Sequence, residues 1–236
     1  MNIKDKLILR GITKSILITA AVAVLIIYLI VPLVFSLFRF EEITRAYFFY
    51  VAPQILAAVL IITYIVFGAQ TLQYIRTYLF FGYTRKAAFL RVMLVYLSAI
   101  LLGLVIVILS SVPAVTALSY PVSFFFSRIF AFLAGSVFFF SIGALCASIT
   151  TLSKPPLSVV LCIAAVAILF KLQDRLSEKS GIYSYSLSFI IINNEVITNG
   201  ESPMSSLIVL LLGLLALAAA FVIYMLPKSS MKSTAA

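Results

Sequence analysis

About six apolar runs, almost empty of charge, leave this chain one solvent in which it can fold. They cover approximately residues 16–38, 47–70, 92–118, 124–150, 157–170 and 204–226. A helix of about 20 residues crosses a hydrocarbon core about 30 Å thick, and there it satisfies every backbone N–H and C=O within its own segment. With 64% hydrophobic and 10% charged residues, the chain has too little polar side chain to clothe a water-facing globule. The sequence therefore predicts an all-α membrane protein, a single transmembrane domain over residues 1–236 with about six spans. The run at 157–170 is short, and 171–203 after it is the one long connection. The first run is too long for a signal peptide and no small-x-small cleavage site follows it, so it is expected to remain a span.

Cations in short loops are retained on the cytoplasmic side of a membrane. Lys4, Lys6, Arg10 and Lys14 precede the first run, and Arg76, Arg85, Lys86 and Arg91 lie between the second and third. Lys154 lies between the fourth and fifth, and Lys228 and Lys232 follow the sixth. Eleven of the 17 basic residues thus share one face, offset there only by Asp5. On the other face, Arg39, Arg45, Arg128, Lys171, Arg175 and Lys179 are balanced by Glu41, Glu42, Asp174, Glu178, Glu195 and Glu201. Both termini are expected in the cytoplasm. The cations, spread over four segments, suit anionic membrane lipids, and no nucleic-acid partner is needed to explain the formal charge of +10.

The missing residue types restrict the chemistry. Ion-coupled carriers commonly place titratable groups inside their spans. Here there is no His, and no carboxylate falls within a run; Gln54, Gln70 and Arg128 are the strongest polar groups near them. Cys146 and Cys162 lack CxxC spacing and a partner His, so they read as reduced packing residues, with no metal site and no nucleophile. No glycine-rich phosphate loop with Lys and Ser or Thr occurs. The chain is not expected to be an enzyme, and any uphill transport would draw its energy from another subunit.

Three segments carry more information than the runs. Residues 74–91 form a basic, aromatic connection in which Gly82 can end one helix and Thr84 can N-cap another starting at Arg85. Tyr74, Tyr78 and Phe81 recur at helical spacing, which suits the inner membrane surface or a partner groove. This segment is either a docking surface or an interfacial loop anchored by Tyr and Arg. In residues 1–14, Ile3, Leu7, Ile8 and Ile12 alternate with cations, as an interfacial helix or an ordinary basic flank would. Residues 182–197 mix Tyr183, Tyr185 and Phe189 with Asn193, Asn194 and Glu195, which fits a partly buried outer hairpin or an ordinary outer loop. Small residues four apart, such as Ala131 and Gly135 or Gly143 and Ala147, mark close helix packing, and Gly213, Ala216 and Ala220 do so in the last run.

Six spans, cytoplasmic termini, a basic start and the Phe81-Gly-Tyr-Thr-Arg-Lys86 turn together resemble the small permease subunits of the bacterial ABC transporter type-2 export family. The resemblance implies a multi-pass protein of the bacterial plasma membrane with a short cytosolic coupling helix between spans two and three. That helix would dock on a separately encoded cytosolic ATPase, which holds the ATP and Mg while this chain binds no cofactor. Gly82, Thr84, Arg85 and Lys86 would form the ATPase-coupling surface, with Tyr78 and Phe89 as apolar anchors. A second permease copy or paralogue would complete a homo- or heterodimer, with Gln54 and Tyr64 on the substrate path. The implied cargo is amphipathic or hydrophobic: an antimicrobial-type peptide, a lipid or a drug. Two other classes compete, a substrate-binding membrane subunit of a vitamin importer and a non-transporting immunity or scaffold protein. A thiol introduced into the 81–86 turn is expected to resist an impermeant maleimide in intact cells and to react after permeabilisation; labelling in intact cells reverses the orientation.

Overall fold

The computed structural model describes residues 3–37, 52–118, 122–152, 155–179 and 203–225. Among these residues all regular structure is helical: α1 (Ile3–Leu25), a π turn (Ile26–Ile30), α2 (Val31–Leu37), α3 (Ala52–Phe80), α4 (Arg85–Leu118), α5 (Val122–Ile149), α6 (Leu157–Lys179) and α7 (Pro203–Met225). Five stretches are long and apolar enough to cross a membrane: Arg10–Val34, Ile55–Phe80, Arg85–Ser110, Ile129–Ile149 and Ser206–Met225. The expected fifth span, 157–170, corresponds to the shorter apolar stretch Leu157–Gln173 of α6. At about 1.5 Å per residue it falls a few ångströms short of a 30 Å core. The expected outer hairpin at 182–197 lies outside the described residues.

The helices overrun the apolar runs that announce them. The second span continues past Gln70 to Phe80, because Thr71, Leu72, Gln73, Tyr74, Ile75, Arg76 and Thr77 contain no helix breaker. As a result no separate coupling helix is present; a tight turn at 81–84 joins two long helices directly. Residues 3–14 likewise form the opening turns of α1, continuous with the first span. Ile12 and Ile16 are buried there while Arg10 and Lys14 are exposed, so one stripe packs inward and the cations face out.

Within the first span a proline explains a departure from α geometry. Pro32 has no N–H for the carbonyl of Tyr28, and its ring crowds that carbonyl. The preceding turn widens to π, with the Val31 N–H donating to the Ile26 carbonyl five residues back.

α5 is the axis of the bundle: it packs most extensively on α3 and α7, and 67% of its apolar stretch is buried. Small residues let the backbones meet. A methyl on Gly68 of α3 would overlap the Phe140 carbonyl of α5, and one on Gly143 of α5 would overlap the Ile65 carbonyl of α3. On the opposite side, a methyl on Gly213 of α7 would sit 2.9 Å from the Phe138 Cα, and Ala216 and Ala220 continue that buried stripe. The expected small-residue faces on α5 and α7 are therefore real packing surfaces.

α3 and α4 are held by reciprocal hydrogen bonds. The Tyr64 hydroxyl of α3 donates to the Ala99 carbonyl of α4 at 3.0 Å, and the Tyr96 hydroxyl of α4 donates to the Phe67 carbonyl of α3 at 2.7 Å. Gly103 leaves the space that the Tyr64 hydroxyl fills. Such bonds are worth about 1 kcal/mol each in a membrane. Several hydroxyls are satisfied within their own helices, as Thr63 on Val59 and Ser141 on Val137 show.

Gly143→Ala is expected to force α3 and α5 apart at a cost of about 3 kcal/mol. Gly11→Ala, whose methyl meets nothing within 4 Å, is expected to be neutral or to stabilise by about 1 kcal/mol. Unfolding midpoints in a denaturing-detergent titration compare the two.

Candidate functional site

The turn between α3 and α4 is built by local hydrogen bonds that the sequence dictates. Gly82 adopts φ 83°, a left-handed conformation open to glycine at no steric cost. Its N–H donates to the Leu79 carbonyl at 2.9 Å, and the Tyr83 N–H donates to the Tyr78 carbonyl at 3.2 Å. These two bonds define a Schellman cap, and the apolar contact that accompanies the motif is present as the Tyr78 and Tyr83 rings, edge to face at 5.5 Å. The next helix begins at once: the Thr84 hydroxyl accepts from the Ala87 N–H at 3.3 Å, and the Thr84 carbonyl accepts from the Ala88 N–H at 2.8 Å. The sequence expectation that Gly82 ends one helix and Thr84 caps the next at Arg85 is realised. With both helix ends capped within four residues, the turn has little freedom of its own.

Around this backbone the side chains divide sharply. Phe80 is 86% exposed and Phe81 43%, and their rings meet edge to face at 5.7 Å. Arg76, Arg85 and Lys86 are exposed beside them. The Arg91 guanidinium lies 4.7 Å from the centre of the Tyr83 ring, a cation–π contact that ties α4 to the cap. Arg76 and Arg85 also lie within electrostatic reach of the Tyr224 hydroxyl at the end of α7. The sequence holds no Asp or Glu from residue 43 to residue 173, so α3 and α4 carry no acid of their own to offset the cluster. The result is an apolar tip within a positive collar.

The expected site residues separate into two groups. Gly82, Thr84, Arg85 and Lys86 are exposed at the turn. Tyr78 and Phe89 face inward: Tyr78 is fully buried, and Phe89 packs on Phe221 at 5.0 Å and Tyr224 at 6.2 Å. They brace the turn from below instead of presenting an apolar surface to a partner. The residues missed are Phe80, Phe81 as an exposed pair with it, Arg76 and the bracing ring Tyr83. A signal for the inward residues was present in the sequence. Ala52, Leu56, Leu60, Tyr64, Phe67, Thr71, Ile75 and Tyr78 recur every three or four residues, all are buried, and Tyr78 closes that stripe. Phe80 falls off it.

The substrate-path assignments fare differently. Tyr64 is buried, bonded to Ala99 and edge-on to Phe132 at 6.4 Å, an interhelical tie between α3 and α4. The Gln54 side chain lies outside the described residues.

Comparison with known proteins returns no matching family model, no matching curated protein and no matching solved structure.

Gly82→Ala is expected to cost about 1–2 kcal/mol, since its backbone is left-handed although space for a methyl is open. Gly82→Asn should cost less, and Thr84→Ala about 1 kcal/mol. The shift of the thermal midpoint in detergent measures all three.

Proposed function

We propose that this chain is the membrane-spanning permease subunit of an ATP-driven exporter, worked through its α3–α4 turn by a separate cytosolic ATPase. The observation that carries this reading is the combination of an exposed tip with a stiff mounting. Phe80, Phe81, Arg76, Arg85 and Lys86 offer an apolar and cationic contact, while the double cap and the Tyr78–Tyr83 pair hold the turn to its helices. Force applied to such a tip is delivered to α3 and α4 together, because the Tyr64 and Tyr96 bonds couple them. It passes on to α5 where Gly68 and Gly143 meet without side chains. A flexible loop would absorb the same push.

In this mechanism the coupling surface consists of the exposed residues, with Gly82 and Thr84 fixing its shape and Tyr78 and Phe89 bracing it. Two copies, or this chain and a paralogue, enclose the path between them, and closure of the ATPase pair rocks α3 and α4 between inward- and outward-facing arrangements. ATP and Mg belong to the ATPase. The apolar character of the exposed helix faces favours an amphipathic or hydrophobic cargo, a peptide, lipid or drug, in a bacterial plasma membrane.

A second reading rests on the same tip. An exposed aromatic pair among cations also suits the headgroup region of a membrane, where it would anchor a non-transporting protein. Purification of the tagged chain from its native membrane, with identification of associated proteins, separates the two. The transport reading expects a nucleotide-binding ATPase to co-purify with the wild type and to be lost at least tenfold with Arg85→Glu, at unchanged membrane insertion. An ATPase retained fully by Arg85→Glu removes the coupling role, and no ATPase with the wild type favours the anchor.

A further inference from the structure

The chain has two cysteines, and the fold brings them together. Cys146 lies one turn before the end of α5 and Cys162 lies in the second turn of α6. The Cys162 Sγ is 3.5 Å from the Cys146 carbonyl oxygen, which places the two cysteines side by side across the helix pair. Both are free and partly accessible. Around them Ala165, Val166 and Leu145 form an apolar setting.

Their position in the bundle gives the contact a consequence. Leu157, Val159, Val160, Ile163 and Ile168 are all more than half exposed, so α6 presents most of its apolar surface outward. Its ties to α5 include the contact of the Cys162 thiol with the Cys146 carbonyl and, two turns further along, Phe170 against Phe138 at 5.7 Å and Phe139 at 6.5 Å. A covalent bond at the first of these points would fix the position of α6 on α5 near the end that also carries the α3–α4 turn.

We propose that Cys146 and Cys162 form a reversible dithiol site, which a low-molecular-weight disulfide oxidises to an intramolecular bridge joining α5 to α6. In the first step one cysteine sulfur attacks the reagent RSSR, losing its proton and releasing one RSH, and leaves a mixed disulfide on the protein. In the second, the neighbouring cysteine sulfur attacks that protein sulfur, forms the Cys146–Cys162 bond and expels the second RSH. The protein loses two hydrogens and one RSSR becomes two RSH. Apolar surroundings slow the first step. The second is intramolecular between cysteines that the fold already holds side by side, so the mixed disulfide does not accumulate. In a reducing cytosol the resting state is the dithiol, and the bridge forms under oxidative load. This site is independent of the proposed transport role.

The full-length protein in lipid nanodiscs, treated with 2,2′-dithiodipyridine, a disulfide apolar enough to enter the bilayer, provides the test. Intact mass spectrometry is expected to show a protein lighter by two hydrogens and free of pyridylthio adducts, restored by dithiothreitol. Cys146→Ser and Cys162→Ser are each expected to retain one stable pyridylthio adduct. Wild-type protein that carries two adducts, keeps both thiols at excess reagent, or loses its thiols only into a covalent dimer overturns the proposal.

Discussion

The contact between Gly68 and Gly143 sets the geometry on which the rest of the bundle depends. In a membrane, burying apolar side chains against one another gains little over leaving them in lipid, so helices associate through close packing and interhelical hydrogen bonds. Where α3 crosses α5, the backbones approach until neither glycine could carry a methyl without striking a carbonyl of the other helix. That approach sets α5 deep enough to be gripped on its far side by Gly213 of α7. It also brings Phe140 of α5 onto the Tyr96 ring of α4, at 4.6 Å. α3 and α5 are thus registered against each other by a contact that involves no side chain at all, and the Tyr64, Tyr96 and Phe140 side chains tie α4 to them.

The α3–α4 hairpin inherits this registration and carries it to the surface. Tyr64 and Tyr96 each reach a carbonyl on the opposite helix, and Tyr78 and Tyr83 close the turn. Six rings, Tyr64, Phe67, Tyr74, Tyr96, Phe132 and Phe140, then form a connected aromatic interior between α3, α4 and α5. A pair of helices locked at its base and its tip moves as one body, which is the property a mechanically driven element needs. The exposed Phe80 stands at the end of that hairpin, beside the exposed cations Arg76, Arg85 and Lys86. An interfacial anchor would need the exposed chemistry but not the stiffness.

Some of this arrangement was legible residue by residue. Gly82 and Thr84 announced a helix end and a helix start because both signals are local: one requires a left-handed backbone, the other a hydroxyl within reach of an N–H three residues on. The small residues of α5 and α7 announced close packing for the same reason, although Gly68, the partner of Gly143, stood alone in its helix and carried no spacing pattern. The C-terminal end of α3 was misplaced because hydropathy falls after Gln70 while helix propensity does not. That error turned Tyr78 into a surface residue, when the stripe from Ala52 shows it to be the last buried position. Phe89 was misread similarly, since its partners Phe221 and Tyr224 are more than 130 residues away along the chain. The tie that Tyr64 makes to a backbone carbonyl of the next helix had no local signal at all.

Composition alone determined the solvent and the element type, because a chain this apolar must satisfy its backbone within each segment and a helix does so without help. The sequence also determined where one hairpin turns, through a glycine and a threonine whose roles need only four residues of context. Which aromatic rings face inward, which glycines touch, which hydroxyls bridge helices and where the two thiols meet were decided only by the tertiary structure. Each is a contact between helices, and the register between two helices is a property of the pair, invisible in the periodicity of either one.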